Sequence, residues 1–165
     1  MIIKRPRLPI KHILTVGLLP SVLKVGYYRL RGAKIGKGVK FGIGAVILSK
    51  DLEIGDETTI GMLTSITCGK LKIGKRTNIR SFVIIDAQEI SIGNDATISE
   101  VALIRTLIPN AHSKIILHDR VHIFPFTLID PTRKVEIGEE SCVGYGSSIL
   151  THSSYKSKLD GYPVE

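Results

Sequence analysis

Tryptophan is absent from this chain of 165 residues, and phenylalanine occurs only four times. A core without large aromatics has to be assembled from small branched aliphatics, and valine and isoleucine are abundant. Branching at Cβ favours strands over helices. Cysteine is scarce as well. Cys68 and Cys142 lie far apart and form no CxxC pair, so nothing marks a disulfide framework or a cysteine zinc site, and a reducing compartment is the default. Long apolar runs are also missing. The uncharged stretch HILTVGLLPSVL, residues 12–23, is interrupted by Pro20 and is too short to span a bilayer. No small-residue cleavage site follows it. It is suited to lying on a membrane surface, not to crossing one. The phosphate-loop signature is lacking too: GAKIGKGVKFG has glycines at corners, not in a nucleotide cradle.

The first fifty residues contain no acidic residue. Before Asp51 stand eleven Lys and Arg, among them Lys4, Arg5, Arg7, Lys11, Lys24 and Arg29. The rest of the chain carries twelve basic against fifteen acidic residues, so the whole +8 resides in the leading segment. A basic leader beside a mildly acidic body points to an anionic partner: lipid headgroups, a nucleotide-linked substrate or an acidic surface. Peripheral contact of residues 1–40 with an anionic membrane is one expectation, and a plain solvated segment is the alternative. No nucleic-acid recognition module is visible, and aromatics are not interleaved with the basic residues, so nucleic acid is not the expected partner.

What the sequence does have is a repeat. The phrases KIGKGVKFG, EIGDETTIG, KIGKRTNIR, SIGNDATIS and EIGEESCVG begin at Lys34, Glu53, Lys72, Ser91 and Glu136, the first four at a spacing of 19 residues. Within each unit a hydrophobic residue recurs every six positions. Ile35, Phe41 and Ile47 are followed by Ile54, Ile60 and Ile66, then Ile73, Ile79 and Ile85, then Ile92, Ile98 and Ile104. After a longer connection come Leu117, Ile123 and Ile129, and then Ile137, Val143 and Ile149. Three steps of six before a restart describe a coil with three short faces, each sending one large side chain inward. Glycine after the first inward residue (Gly36, Gly55, Gly74, Gly93 and Gly138; His118 in the remaining unit) fits a corner where a side chain would crowd or φ must be positive. Ala33, Ala45, Thr64 and Ala96 suit tight corners. Stacked at about 4.8 Å, six coils make a column of roughly 30 Å, a solenoid in which each coil is stable only against its neighbours. Between Ile92 and Leu117 the spacing grows to 25, which places a loop insertion near residues 103–113. Residues 1–33 lack the pattern and form a basic cap segment. A short helix around Ser21 to Leu30, with Val22, Val25, Tyr27 or Tyr28, and Leu30, is expected to cover the open first coil. The repeat region then runs over 34–155, and 156–165 form an excursion loop.

This pattern closely resembles that of the hexapeptide-repeat acyltransferases, whose [LIV]-G-x4 repeat folds as a left-handed parallel β-helix. The likeness covers residues 34–165. The closing stretch VEIGEESCVGYGSSILTHSSYKSKLDGYPVE is similar to the region of the catalytic histidine in the maltose, galactoside and polysaccharide O-acetyltransferase branch. The resemblance implies transfer of an acetyl or other acyl group from coenzyme A to a hydroxyl or amine of a sugar-like acceptor, polysaccharide biosynthesis being the commonest setting. It implies a cytoplasmic homotrimer with sites between columns, using acetyl-CoA as donor substrate with no resident cofactor or metal. The family histidine falls on His152, and the family's Ile-Leu-Asp stretch falls on Leu128, Ile129 and Asp130. Where family members often place an acceptor-binding Asn five residues before that Asp, this chain has Pro125, so its acceptor pocket differs. The resembling enzymes continue for two or three more coils that hold much of the donor pocket. A column ending at Glu165 is therefore expected to be truncated and to bind coenzyme A weakly.

The chemistry asks for little. An imidazole neutral near pH 7 and within hydrogen-bond reach of the acceptor hydroxyl suffices as general base, and no protein nucleophile is needed once donor and acceptor are held together. His152 is the candidate base, and Asp130, one coil below, the candidate orienting group. Asp86 occupies the equivalent place lower down, with capping of a local amide as its expected role. Tyr145 and Ser148 are candidate donors to the acceptor or the oxyanion, and Lys156 and Lys158 candidate contacts for donor or acceptor phosphates. Two alternatives stay open. One is a non-catalytic scaffold or assembly subunit. The other is a zinc-dependent carbonic anhydrase-like protein using His112, His118 and His122, although an i, i+4 pair does not converge on a β coil as it would on a helix.

Overall fold

In the structure, a computed structural model that describes residues 10–106 and 113–151, the repeat winds into a parallel β-solenoid of six coils. Each coil contributes one short strand to each of three six-stranded parallel sheets. In the third coil these are Lys70–Ile73, Asn78–Ile79 and Ile84–Asp86. The expected all-β fold with a partly helical leading cap is the one adopted.

The register accounts for every inward position. Ile35, Ile54, Ile73, Ile92, Leu117 and Ile137 pair in succession down the first sheet. Phe41, Ile60, Ile79, Ile98, Ile123 and Val143 do so down the second. Ile47, Ile66, Ile85, Ile104, Ile129 and Ile149 do so down the third. In the middle coils these side chains are wholly buried, whereas Val143 and Ile149 of the sixth coil are only half-buried. The 19-residue unit divides as six, six and seven. The odd residue lengthens the first-sheet strands, so that Leu71, Ile90, Ile115 and Val135 add a second row of buried aliphatics two positions ahead of the first.

The corners decide between the two reasons for the glycines. Gly36, Gly55, Gly74 and Gly93 are there for want of room, unlike Gly138 in the last coil: a Cβ on Gly55 would come within 2.6 Å of the Gly74 carbonyl carbon. Positive φ falls elsewhere, three residues after the first and second inward positions. At the first corner the left-handed residues are Gly38, Glu57, Arg76, Asp95, Arg120 and Glu140; at the second they are Gly44, Leu63, Phe82, Val101, Phe126 and Gly146. Buried threonines close the turns, as where the Thr58 hydroxyl donates to the Gly74 carbonyl at 2.7 Å and Thr77 to Gly93 at the same distance. Those hydroxyls satisfy carbonyls that the ladder leaves over.

The cap consists of α1 (Ile10–Leu14), a 3-10 turn (Val16–Leu18) and α2 (Ser21–Leu30). It completes the unpaired edge of the first coil with side chains and one backbone carbonyl. Phe41 N–H donates to Ser21 Oγ, Ile47 N–H to the Tyr28 hydroxyl, and Gly44 N–H to the Gly17 carbonyl. In return Lys24 Nζ donates to the Gly42 carbonyl at 2.6 Å, and Arg29 to the carbonyls of Ile35 and Gly36. Lys24 has no exposed surface, and burial holds its ammonium below the usual lysine range. Tyr28 and half-buried Val25 and Tyr27 pack on the coil as expected, but Val22 and Leu30 do not: they are 81% and 91% exposed. The edge of a β coil needs hydrogen-bonding partners more than it needs grease, and the polar arc of α2 supplies them.

Candidate functional site

The third corner, where each coil leaves the third sheet, carries the most concentrated polar chemistry. Asp130 ends the strand Leu128–Asp130 and is fully buried. Its Oδ1 accepts from Thr132 N–H at 3.0 Å and from the Thr132 hydroxyl at 2.6 Å. Pro131, which has no N–H and a fixed φ, sets up this Asx turn. The Thr132 hydroxyl lies 2.9 Å from that of Thr106 one coil earlier, and both are buried. One coil later, the Thr151 hydroxyl donates to the Asp130 carbonyl at 2.8 Å and accepts from Arg133 N–H at 2.9 Å. Thr106, Asp130 and Thr151 thus tie three successive coils together at one corner. Burying so many polar groups is tolerable because they bond to one another.

Two stretches outside the described residues border this corner. Leu103–Arg105 stays in register with Ile84–Asp86, and regular structure resumes at Lys114, so Thr106 and Ser113 flank residues 107–112. Thr151 leads covalently into His152. His152, Lys156 and Lys158 lie outside the described residues, as does His112.

Asp86 plays a different part from the one expected. Its carboxylate faces the Arg105 guanidinium at 3.8 Å instead of capping an amide, and it is Asp130 that caps. Burial raises the Asp86 carboxyl above its ordinary range, with Arg105 pulling the other way. Tyr145 and Ser148 are not gathered around Asp130. Tyr145 is exposed at the second corner, its ring 5.3 Å from that of Phe126, and Ser148 is exposed at the start of the strand Ser148–Leu150.

Compared with family models, with curated proteins and with solved structures, the chain matches none.

The two left-handed corners have the same backbone and opposite surfaces. The first is a ladder of alternating charge: Arg76 meets Asp95 with two bonds of 2.7 and 2.6 Å, and Arg120 bonds Glu140 at 2.9 Å. The second is apolar, with Leu63, Phe82, Val101 and Phe126 stacked in one column and each about half exposed. Bulky or β-branched side chains are rare at positive φ, and here four succeed one another. The outer residues of the third sheet continue that surface as Ile84, Leu103 and Leu128. Two residues further along the same strands stand Asp86, Arg105 and Asp130. An apolar strip therefore runs beside the polar corner. The strip lies outside the inward and glycine patterns, although its spacing of 19, 19 and 25 residues is readable in the sequence.

His118 and His122 have separate partners. His118 Nε2 lies 2.8 Å from Glu136 Oε1, and Lys134 and His118 together hold the Glu136 carboxyl down at about 2. His122 Nε2 lies 3.1 Å from Ser99 Oγ, its ring stacked on Phe124 at 4.3 Å. Among the described residues no group of three His, Cys, Asp or Glu is placed to hold a metal ion. A cleft of about 340 Å³ lies at the other end of the column, lined by Tyr28, Ile47, Ser49 and Cys68 among others. Burial pushes the Cys68 thiol up to about 11, which leaves it protonated and unreactive at neutral pH.

Proposed function

We propose that the chain serves a coenzyme A-dependent acyl transfer, moving an acetyl or other acyl group to a hydroxyl or amine of a sugar-like acceptor. His152 acts as the general base. It takes the proton of the acceptor as the acceptor oxygen attacks the thioester carbonyl, and returns it to the departing thiolate as the tetrahedral intermediate collapses. The Asp130 carboxylate holds the imidazole in the required tautomer. The observation that carries this reading is positional. The peptide entering His152 starts from Thr151, which is bonded to the Asp130 carbonyl at the corner where the buried cluster sits. The apolar strip beside that corner supports a homotrimer, since three columns packed along their second corners would wall the polar corner with a neighbouring copy. The left-handed sense of the coils belongs to the same proposal, through the likeness of the repeat.

The test is thioester consumption with a panel of hydroxylated acceptors. Acyl transfer is expected from the native chain and a loss of at least about a hundredfold from His152→Ala, as befits a general base. Asp130→Asn is expected to reduce kcat about tenfold or more, with KM for the donor little changed. Turnover that is indifferent to His152 would reject the mechanism, and absence of transfer to any acceptor would favour a scaffold.

A further inference from the structure

The cap turns its polar side inward and its apolar side out. On α2 the arc that includes Ser21, Lys24 and Tyr28 is the one bonded to the edge of the first coil. The opposite arc consists of Val22, Leu23, Gly26 and Leu30, a span of about 100° at 100° per residue, and it faces away from the coils along the column axis. Leu23 is 56% exposed, and Leu14 and Leu18 of the preceding turns are similarly open. A helix that buries its lysine and exposes its aliphatics inverts the usual order, and large exposed apolar patches mark interaction surfaces.

The surroundings of this patch identify its occupant. Lys34, Lys37, Lys40 and Lys50 are all exposed on the first coil, one on each of the first two strands and the others at the first and third corners. They form a basic collar around the apolar end, and no acidic residue precedes Asp51. The acidic side chains begin on the second coil, about 4.8 Å further from the patch. An apolar disc with a cationic rim is complementary to a bilayer surface containing anionic lipid, where aliphatics enter the headgroup–acyl boundary and lysines meet phosphates. We propose that the column docks end-on, cap first, against an anionic membrane. No helix among the described residues is long and apolar enough to cross one, so the contact is peripheral.

The experiment is co-sedimentation of the full chain with vesicles of phosphatidylcholine alone or mixed with phosphatidylglycerol, at low and high salt. Binding is expected to the mixed vesicles only and to weaken with salt. Val22→Gln with Leu30→Gln, both on the outer arc and without contacts to lose, should cut the partition about tenfold while leaving the unfolding midpoint in place. Lys34→Gln with Lys37→Gln should cut it comparably at low salt and little at high salt. Equal binding by the Val22/Leu30 variant, binding indifferent to lipid charge, or self-association through the cap with no vesicle binding would each overturn the proposal. None of these readouts depends on acyl transfer.

Discussion

Asp86 and Asp130 end nearly the same tripeptide, Ile-Ile-Asp and Leu-Ile-Asp, two coils apart, yet do opposite work. The next two residues in the chain decide which. Asp130 precedes Pro-Thr, whose geometry returns an N–H and a hydroxyl to the carboxylate, whereas Asp86 precedes Ala-Gln and turns to Arg105 across the ladder. Spacing places both at a corner; only the neighbouring coil shows which one meets a cation. The raised carboxyl of Asp86 has a measurable consequence. The folded chain keeps that proton to higher pH than the unfolded chain, so the group favours folding most below the unfolded value of about 3.9. That contribution declines as pH rises through the elevated folded value. Asp86→Asn is expected to remove this decline, so the urea midpoint at neutral pH, taken relative to that at acid pH, should be higher for the variant than for the native chain. An unchanged difference would show that Asp86 titrates normally.

At the scale of the element, the eighteen inward positions and the span Ser21–Leu30 were legible because each rests on a local rule: hydrophobic recurrence in one case, a proline before a helical stretch in the other. The faces turned outward were not. Whether Val22 points in or out depends on the first coil's edge needing hydrogen bonds, and Leu63, Phe82, Val101 and Phe126 lie outside the inward pattern because they face away from the axis. The candidate base could be placed only by likeness, since one histidine after an inward residue has no periodicity to support it. The ladder itself predicts a gradient along each sheet. Ile66 is fully buried between two coils, while Ile149 of the same ladder is half-buried at its end. Ile66→Ala is expected to cost about 3–4 kcal/mol and Ile149→Ala less than half as much. Denaturant midpoints of the two variants check this, and equal losses would mean that the sixth coil is as well covered as the second.

Across the whole molecule the two left-handed corners divide the labour. Charges at the first corner need no partner beyond their own ladder. Aliphatic and aromatic residues at the second accept an unfavourable φ and solvent exposure together, which an isolated column has no reason to retain. Val101→Gly is therefore expected to leave the single chain as stable or to stabilise it by up to about 1 kcal/mol, while lowering, if the proposed trimer forms, its fraction in sedimentation velocity. A less stable chain with intact assembly would place the subunit contact elsewhere. The even rise of the coils has another outcome. Because the units from residue 34 to residue 91 repeat at 19 residues with unbroken register, the fold works as a ruler. Duplicating one such unit inserts a storey and lifts the Asp130 corner about 4.8 Å further from the cap. If the cap rests on lipid and the Asp130 corner serves the proposed acyl transfer, the number of storeys sets how far above the headgroups an acceptor must reach, and so which membrane-tethered chains are long enough to be served.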